Sequence, residues 1–318
     1  MVAHVTRRWF TELTSNYPFW ILLGIYVLAC MLVPKFLTEV NQFNLIRQSS
    51  VIGIVSLGML VVIISAGIDL SVGSIVALAG VIAVGTQTYV PLPVAVFAGL
   101  AVGVGIGIAN GAAISFLRVS PFVMTLGMLA LARGLTYAYT EGGPLQPAAA
   151  TRHIFVLPGR GEIFGIPAIG LIWFALILLV SFLLNRTVFG RRVFAVGSNQ
   201  SAAFATGVPI AWTLFCVYAI SGLLCGLAGI LLASRVSVAT PTMGQAYELD
   251  AIAAVVIGGA SLAGGRGTVS GTVVGTLILV LIVNILNLLS VSIFWQDAVR
   301  GAIIIAAMIF GNLRGRSG

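Results

Sequence analysis

Apolar residues occur along this chain in runs of about twenty, which short polar stretches separate. A bilayer core of about 30 Å requires about 20 apolar residues in a helix. By that measure the sequence contains ten candidate spans: 18–34, 50–66, 70–88, 92–117, 120–139, 166–184, 211–233, 250–264, 268–289 and 293–311. The pattern predicts an all-α integral membrane protein in which residues 1–318 form a single transmembrane domain.

Two of these segments are irregular. Span 250–264 is short, and the pairs Gly258-Gly259 and Gly264-Gly265 interrupt it. Span 50–66 runs almost directly into span 70–88. Non-helical backbone at membrane depth is tolerated only where protein buries it or where it lines a cavity. Both places are therefore expected to lie near a transport pathway.

Positive charge orients the spans, because Lys and Arg favour cytoplasmic loops. The bias places both termini inside and makes residues of about 140–165 the longest external loop. The first apolar run lacks a convincing small-residue cleavage site, so an uncleaved first span is expected. On this topology Arg7, Arg8, Arg118, Arg186, Arg191, Arg192, Arg266, Arg314 and Arg316 lie inside, and Lys35, Arg47, Arg152, Arg160 and Arg235 lie outside.

The same order of features occurs twice along the chain. An acidic residue opens one span, a glycine stripe follows in the next, and an Arg-Gly pair follows in the third. The first set is Asp69, Gly99 to Gly111 and Arg133-Gly134; the second is Asp250, Gly267 to Gly275 and Arg300-Gly301. We expect spans two to five and seven to ten to form two inverted repeats, and the glycine stripes to allow close helix packing.

Composition narrows the possible functions. Hydrophobic residues make up 59% of the chain and charged residues 8%, with a mean hydropathy of +1.14. The net charge of +8 is spread through short loops, so it indicates membrane orientation and not nucleic-acid binding. The only lysine, Lys35, follows no glycine loop, which excludes a Walker A site. Two histidines and three cysteines without metal-site spacing predict no metal, and no cofactor is expected.

Ionisable residues within or near spans are candidate pathway residues by default. They are Asp69, Arg133, Glu248, Asp250, Asp297 and Arg300. Asp69, which precedes Ser71 and Ser74, and Asp250 can either cap helices or contact substrate. Asp297 and Arg300 are three residues apart and can pair. Arg133 can snorkel to the outer interface or face the pathway.

The polar segment 185–210 lies between the sixth and seventh spans. Its small residues allow close approach to a partner surface, and Asn199 and Ser201 can cap a short helix there. Arg191 and Arg192 can pair with acidic groups of a partner or with anionic lipid headgroups. A water-soluble protein is therefore expected to dock on this segment.

Four stretches of the sequence resemble those of one family. Residues 67–74, GIDLSVGS, resemble a signature of the sugar permeases of bacterial ABC importers. Residues 248–259 with the glycine-rich turn Gly264 to Gly267 resemble the second signature. Residues 190–203 resemble the cytoplasmic coupling loop, and residues 161–167 are similar to the ribose permease branch. The resemblance covers essentially the whole chain.

The resemblance implies a ten-span permease of the bacterial inner membrane that does no covalent chemistry. Its implied partners are a second permease subunit, cytoplasmic ATP-binding subunits and a periplasmic sugar-binding protein. The coupling residues implied within 185–210 are Gly190, Arg191, Gly197, Asn199, Ala202, Ala203 and Gly207. The pathway or gate candidates are Asp69, Ser71, Ser74, Arg133, Glu248, Asp250 and Arg300.

Other functions remain open from the residues alone. A secondary transporter driven by protons or sodium would use a pathway carboxylate such as Asp69, Asp250 or Asp297. A membrane enzyme would need a catalytic constellation, and the sequence offers none. Within the importer class a monosaccharide, with a pentose such as ribose favoured, competes with a branched-chain amino acid or a nucleoside as the substrate.

Overall fold

A computed structural model describes residues 17–315 of the chain, nearly all of them in helices. Arg7, Arg8 and Arg316, which the charge bias uses, lie outside the described residues. The long helices are α1 (Tyr17–Leu32), α2 (Glu39–Ile64), α3 (Val72–Gly85), α4 (Leu92–Ser115) and α5 (Pro121–Thr140). The short elements α6 (Arg152–Phe155), α7 (Leu157–Arg160), β1 (Glu162–Ile163) and β2 (Ile166–Pro167) follow. The chain continues with α8 (Ala168–Arg186), α9 (Val188–Ser198), α10 (Gln200–Ala205), α11 (Ile210–Val236), α12 (Tyr247–Ile257), α13 (Val269–Leu288) and α14 (Ile293–Gly315).

Each of the ten predicted spans contains a helix. Within residues 17–315, six helices, α2, α4, α5, α8, α11 and α13, are long and apolar enough to cross a membrane. Two predicted boundaries were wrong. Helix α2 begins at Glu39, because its polar first half stays helical beside α13. Helix α12 ends at Ile257, because Gly259 adopts a φ of +90° that ends the helix.

Helices α2 and α11 form the centre of the molecule. In an 18-residue apolar stretch of α2, 83% of the residues are buried. The buried share of the corresponding stretch is 61% in α11 and only 17% in α5. Helix α3 is also buried through most of its length. Apolar side chains of α4, α5 and α8 face outward, where lipid or a second subunit would cover them.

Both glycine stripes make close helix contacts, as predicted. A Cβ at Gly103 in α4 would lie 2.6 Å from the carbonyl oxygen of Gly222 in α11. On α13, Gly271 and Gly275 lie against the backbone of Gly258 and Ala254 at the end of α12. These positions need glycine because the helix backbones approach closely there.

The helices form two sets of neighbours. Helix α11 packs on α3 and α4, and α3 also packs on α4 and α5. Helix α2 packs on α12 and α13, and α12 also packs on α13 and α14. Helices α2 and α11 pack on each other and so join the two sets.

A compact cap covers one end of the molecule. It comprises residues 141–167 and includes a two-stranded hairpin, which the all-α prediction did not include. Leu145 pairs with Ala239 after α11, and the Arg160 side chain donates to the carbonyl oxygen of Arg235 at 2.7 Å. Glu162 pairs with Arg47 of α2 at 3.0 Å. The cap therefore lies at the C-terminal end of α11, and segment 185–210 precedes its N-terminal end.

Candidate functional site

Asp69 lies in the break between α2 and α3 and is completely buried. Its Oδ1 accepts hydrogen bonds from the backbone N–H of Ser71 at 3.0 Å and from the Ser71 hydroxyl at 2.6 Å. Its Oδ2 accepts one from the Ser221 hydroxyl of α11 at 2.9 Å. Ser71 is the N-cap residue of α3, so Asp69 bonds the residue before the helix and caps none of the N–H groups of α3.

The two serines after Asp69 link further helices. Ser71 Oγ accepts a hydrogen bond from Asn110 Nδ2 of α4 at 2.9 Å. Ser74 Oγ donates to the carbonyl oxygen of Leu129 in α5 at 2.9 Å. Asp69 and Ser71 therefore form a polar cluster with Asn110 of α4 and Ser221 of α11, and Ser74 separately links α3 to α5.

Arg133 and Glu248 line one cavity of about 280 Å³. The other lining residues are Leu129, Tyr137, Thr242, Gln245 and Ala246. Arg133 Nη1 donates to the carbonyl oxygens of Pro241, at 2.5 Å, and Met243, at 2.9 Å. Arg133 thus holds the segment before α12 in place instead of snorkelling. The cavity lies between α5 and this segment, at the same end as the cap.

Asp250 and Arg300 form an ion pair between α12 and α14, with 3.0 Å from Nε to Oδ1. Arg300 also contacts Asp297 at 3.3 Å, so the predicted pairing of these two residues is confirmed. The predicted cap role of Asp250 was wrong. Helix α12 begins at Tyr247, so Asp250 lies inside the helix and its carboxylate contacts Arg300.

Segment 185–210 folds into α9 and α10 with side-chain caps. The Thr187 hydroxyl accepts from the N–H of Gly190 at 3.2 Å, and Asn199 Oδ1 accepts from the N–H of Ala202 at 3.0 Å. The cap predicted for Asn199 is confirmed. Ser201 lies within α10, so the cap suggested for it was wrong.

The predicted coupling residues divide into two faces. Gly190, Gly197 and Ala203 are buried against the chain itself. Arg191, Asn199, Ala202 and Gly207 are exposed. Packing within this chain therefore requires the small size of Gly197 and Ala203, and a role of the coupling residues in binding a partner stays a prediction. The exposed face, which we call the α9–α10 face, comprises Arg191, Arg192, Ser198 to Ala202, and Phe204 to Gly207.

Gly197 contacts both irregular segments predicted from the sequence. A Cβ there would overlap the carbonyl oxygen of Ile64, the last residue of α2, and would lie 2.8 Å from the nitrogen of Gly265. Gly265 N–H donates to that same Ile64 carbonyl at 2.9 Å. Gly264 in turn lies against Ala66, just before Asp69. The end of α9, the break after α2 and the glycine turn after α12 therefore meet at one point.

Sequence reasoning missed several residues of these clusters. Tyr137 lies one helical turn after Arg133, so its position was deducible, whereas Thr242 and Gln245 lie in a non-helical segment without periodicity. Ser221 and Asn110 bond the Asp69 cluster from other helices, and no local pattern indicates such partners. Phe204, with 75% of its surface exposed, is the large apolar residue on the α9–α10 face. Within residues 17–315, no group of three His, Cys, Asp or Glu residues is placed to hold a metal ion.

Known proteins resemble this chain over nearly its whole length. Residues 41–308 match the family described as "Branched-chain amino acid transport system / permease component". The chain belongs to this permease family. The match confirms the resemblance to permeases of bacterial ABC importers that the four stretches indicate.

Several relatives are named as sugar permeases. The ribose import permease of Escherichia coli (strain K12) is 41% identical over 97% of this chain and 96% of its own length. The ribose import permease of Bacillus subtilis (strain 168) is 41% identical over 92% of this chain and 91% of its own. The L-arabinose transport permease of Escherichia coli (strain K12) is 37% identical over 96% of this chain and 93% of its own length. No solved structure matches the chain.

Proposed function

We propose that this protein is the permease subunit of an ATP-driven importer of a monosaccharide, with a pentose such as ribose as substrate. The observation that carries the proposal is the 41% identity to ribose import permeases over almost the full length of both proteins. The permease itself hydrolyses no ATP. Its proposed partners are cytoplasmic ATP-binding subunits, a periplasmic sugar-binding protein and a second permease subunit.

The proposed arrangement is a single permease domain with ten spans in the bacterial inner membrane, built from two inverted repeats. The neighbour sets support the repeats, because α11 packs on α3 and α4 as α2 packs on α12 and α13. The positive charges place segment 185–210 in the cytoplasm and the cap in the periplasm. Helix α11 has 27 residues and is about 40 Å long, which is enough to separate the two ends by one bilayer.

The α9–α10 face is the proposed docking surface for the ATP-binding subunit. Phe204 offers a large exposed aromatic anchor, a residue type that often dominates binding energy at interfaces. Arg191 and Arg192 provide two exposed cations that can pair with acidic groups of the partner. Ala202 lies on the same exposed face and permits close approach.

Contacts of the buried face suggest how ATP-driven movement reaches the pathway. A shift of α9 presses Gly197 on the end of α2 and on the glycine turn after α12. Both elements lead directly to the pathway candidates Asp69, Glu248 and Asp250. Such a shift would open one side of the pathway and close the other, which is alternating access.

The rival function, a transporter driven by protons or sodium, has less support. A carboxylate that carries the coupling charge must reach water during the cycle. Asp69 is completely buried and accepts three hydrogen bonds, and Asp250 is paired with Arg300. These contacts favour structural roles for both residues.

Co-purification tests the proposal. The permease is co-expressed with the ATP-binding subunit and the sugar-binding protein encoded by adjacent genes, if such genes are present. We expect a stable complex whose ATPase rate rises when the binding protein is loaded with ribose. A neighbourhood without an ATP-binding subunit, or a permease that binds none, would contradict the proposal.

A further inference from the structure

The cavity between α5 and the segment before α12 has a mostly polar lining. Arg133, Tyr137, Thr242, Gln245 and Glu248 all line it. Thr242 and Gln245 are exposed, so they are not fixed in a buried network as Asp69 is. Helix α5 contributes Arg133 and Tyr137, and the segment at the start of α12 contributes the other three.

We propose that this cavity binds the sugar within the permease, on the cap side, before it crosses. The inference rests on the proposed import function and names the residues that would contact the substrate. A cavity of about 280 Å³ lies just below the range of about 300–1,000 Å³ typical for small-molecule sites. That size suits one monosaccharide unit and not an oligosaccharide.

Each lining residue offers a contact that suits a polyhydroxylated ligand. The Glu248 carboxylate accepts hydrogen bonds from sugar hydroxyls, and the Gln245 amide both donates and accepts. The Thr242 hydroxyl can also do both, and its present partner is the hydroxyl of Thr240 at 3.1 Å. The Tyr137 ring, with Leu129 beside it, provides an apolar surface for the C–H face of the ring.

Arg133 is mainly a positioning residue for this site. Its Nη1 donates to both Pro241 and Met243, the carbonyls on either side of Thr242. These bonds fix the segment that carries Thr242 and Gln245 against α5. On the other side a Cβ at Gly73 of α3 would lie 2.5 Å from Glu248 Oε2, so the lack of a side chain at Gly73 lets the carboxylate pack there.

The uncharged polar residues of the lining favour a sugar over a branched-chain amino acid. One cation and one carboxylate line the cavity, and the cation already contacts two carbonyls. A branched-chain amino acid would need an apolar pocket for its side chain, whereas Thr242 and Gln245 present polar groups. A site on a transport route must also release its ligand, so weak binding is expected.

Protection of a cysteine from alkylation tests this site directly. In a variant with Cys30 and Cys216 replaced by Ala, cysteine is introduced as Thr242→Cys or, separately, as Gln245→Cys. Two positions are used because one of the two replaced side chains can itself be needed for binding, and the cysteine at the other position then still reports whether sugar is bound. The permease in proteoliposomes reacts with a water-soluble maleimide in the presence of D-ribose, L-arabinose, D-galactose or L-leucine. With at least one of the sugars, the alkylation rate of the cysteine should fall by the factor 1 + [L]/Kd, where [L] is the sugar concentration. At a sugar concentration of twice the Kd the fall is about threefold.

Glu248→Gln in the same cysteine variants should raise the sugar concentration needed for protection about tenfold, because a charge-assisted acceptor is lost. Glu141→Gln is the matched control: it removes an exposed carboxylate outside the cavity and should change nothing. If the complete importer takes up one of these sugars but no sugar protects either cysteine, the site is wrong and the import function stands. Protection by L-leucine alone, or no uptake of any sugar, contradicts both.

Discussion

Gly197 of α9 lies directly against the carbonyl oxygen of Ile64, the last residue of α2. This contact joins the proposed docking segment to the break that carries Asp69. It also changes the role of a residue whose small size suggests contact with a partner. Gly197 has no side chain, which allows close packing within the chain, and the proposed partner-facing surface lies on the other side of α9 and α10.

Gly197→Leu should therefore destabilise the permease itself. The leucine side chain would overlap the backbone of Ile64, and overpacking usually costs about 1–3 kcal/mol. Size-exclusion chromatography after heating in detergent should show a lower unfolding temperature. Ala202→Leu is the control, because Ala202 lies on the exposed side of α10. This variant should keep the normal unfolding temperature but should bind the ATP-binding subunit more weakly. Equal stability of the two variants would show that Gly197 is not packed as described.

Phe204→Ala should weaken binding of the ATP-binding subunit without affecting the permease fold. Loss of a central aromatic anchor costs about 2 kcal/mol or more, which corresponds to about 30-fold weaker binding. Phe182→Ala removes another exposed ring, from α8 and outside the α9–α10 face, and should leave binding unchanged. Pull-down of the ATP-binding subunit by the permease measures both. If the Phe204→Ala permease binds the ATP-binding subunit normally, the α9–α10 face is not the docking surface.

Asp69→Asn should leave transport close to normal. The asparagine Oδ1 can keep both bonds from Ser71, and its Nδ2 can donate to the Ser221 hydroxyl. Asp69→Leu should be severe, because each buried donor left unsatisfied costs about 1–3 kcal/mol. Uptake and thermal stability are measured for both. A folded Asp69→Asn permease that transports nothing would indicate that Asp69 carries a proton.

Arg300→Gln should destabilise the permease more than Asp297→Asn does. The Asp250 side chain is only 6% exposed, so removal of Arg300 leaves a buried carboxylate unpaired at a cost of about 3–5 kcal/mol. The Asp297 side chain is 64% exposed, and its pair is worth about 1 kcal/mol or less. The unfolding temperatures of the two variants are measured and show how much each ion pair, Asp250–Arg300 and Asp297–Arg300, stabilises the permease. Similar losses would mean that the Asp250–Arg300 contact is not a buried pair.

Local patterns predicted much of this architecture. All ten apolar segments contain helices, and the glycine stripes pack closely, because helix formation and small-residue contacts follow directly from hydrophobicity and spacing. The start of α2 was missed because polar residues such as Asn41 are stabilised by a distant helix: Asn41 and Asn284 exchange two amide hydrogen bonds. No nearby sequence reveals such a partner.

The candidate site was predictable in part. Arg133 and Glu248 were identified because ionisable residues near spans are costly unless they serve a purpose. Their meeting in one cavity depends on how the segment before α12 folds back over α5, which apolar periodicity does not encode. The burial of Ala203 and the exposure of Phe204 likewise depend on how α10 docks on the chain.

Uptake of labelled sugar by the reconstituted importer is the decisive test of ATP-driven sugar import. The permease, the ATP-binding subunit and the sugar-binding protein are reconstituted in liposomes, and labelled ribose, arabinose and galactose are supplied on the cap side. The account predicts uptake of at least one of these sugars that requires ATP on the side of α9 and α10 and persists when ionophores collapse proton and sodium gradients. Uptake by the permease alone, driven by an imposed ion gradient without ATP, would contradict it.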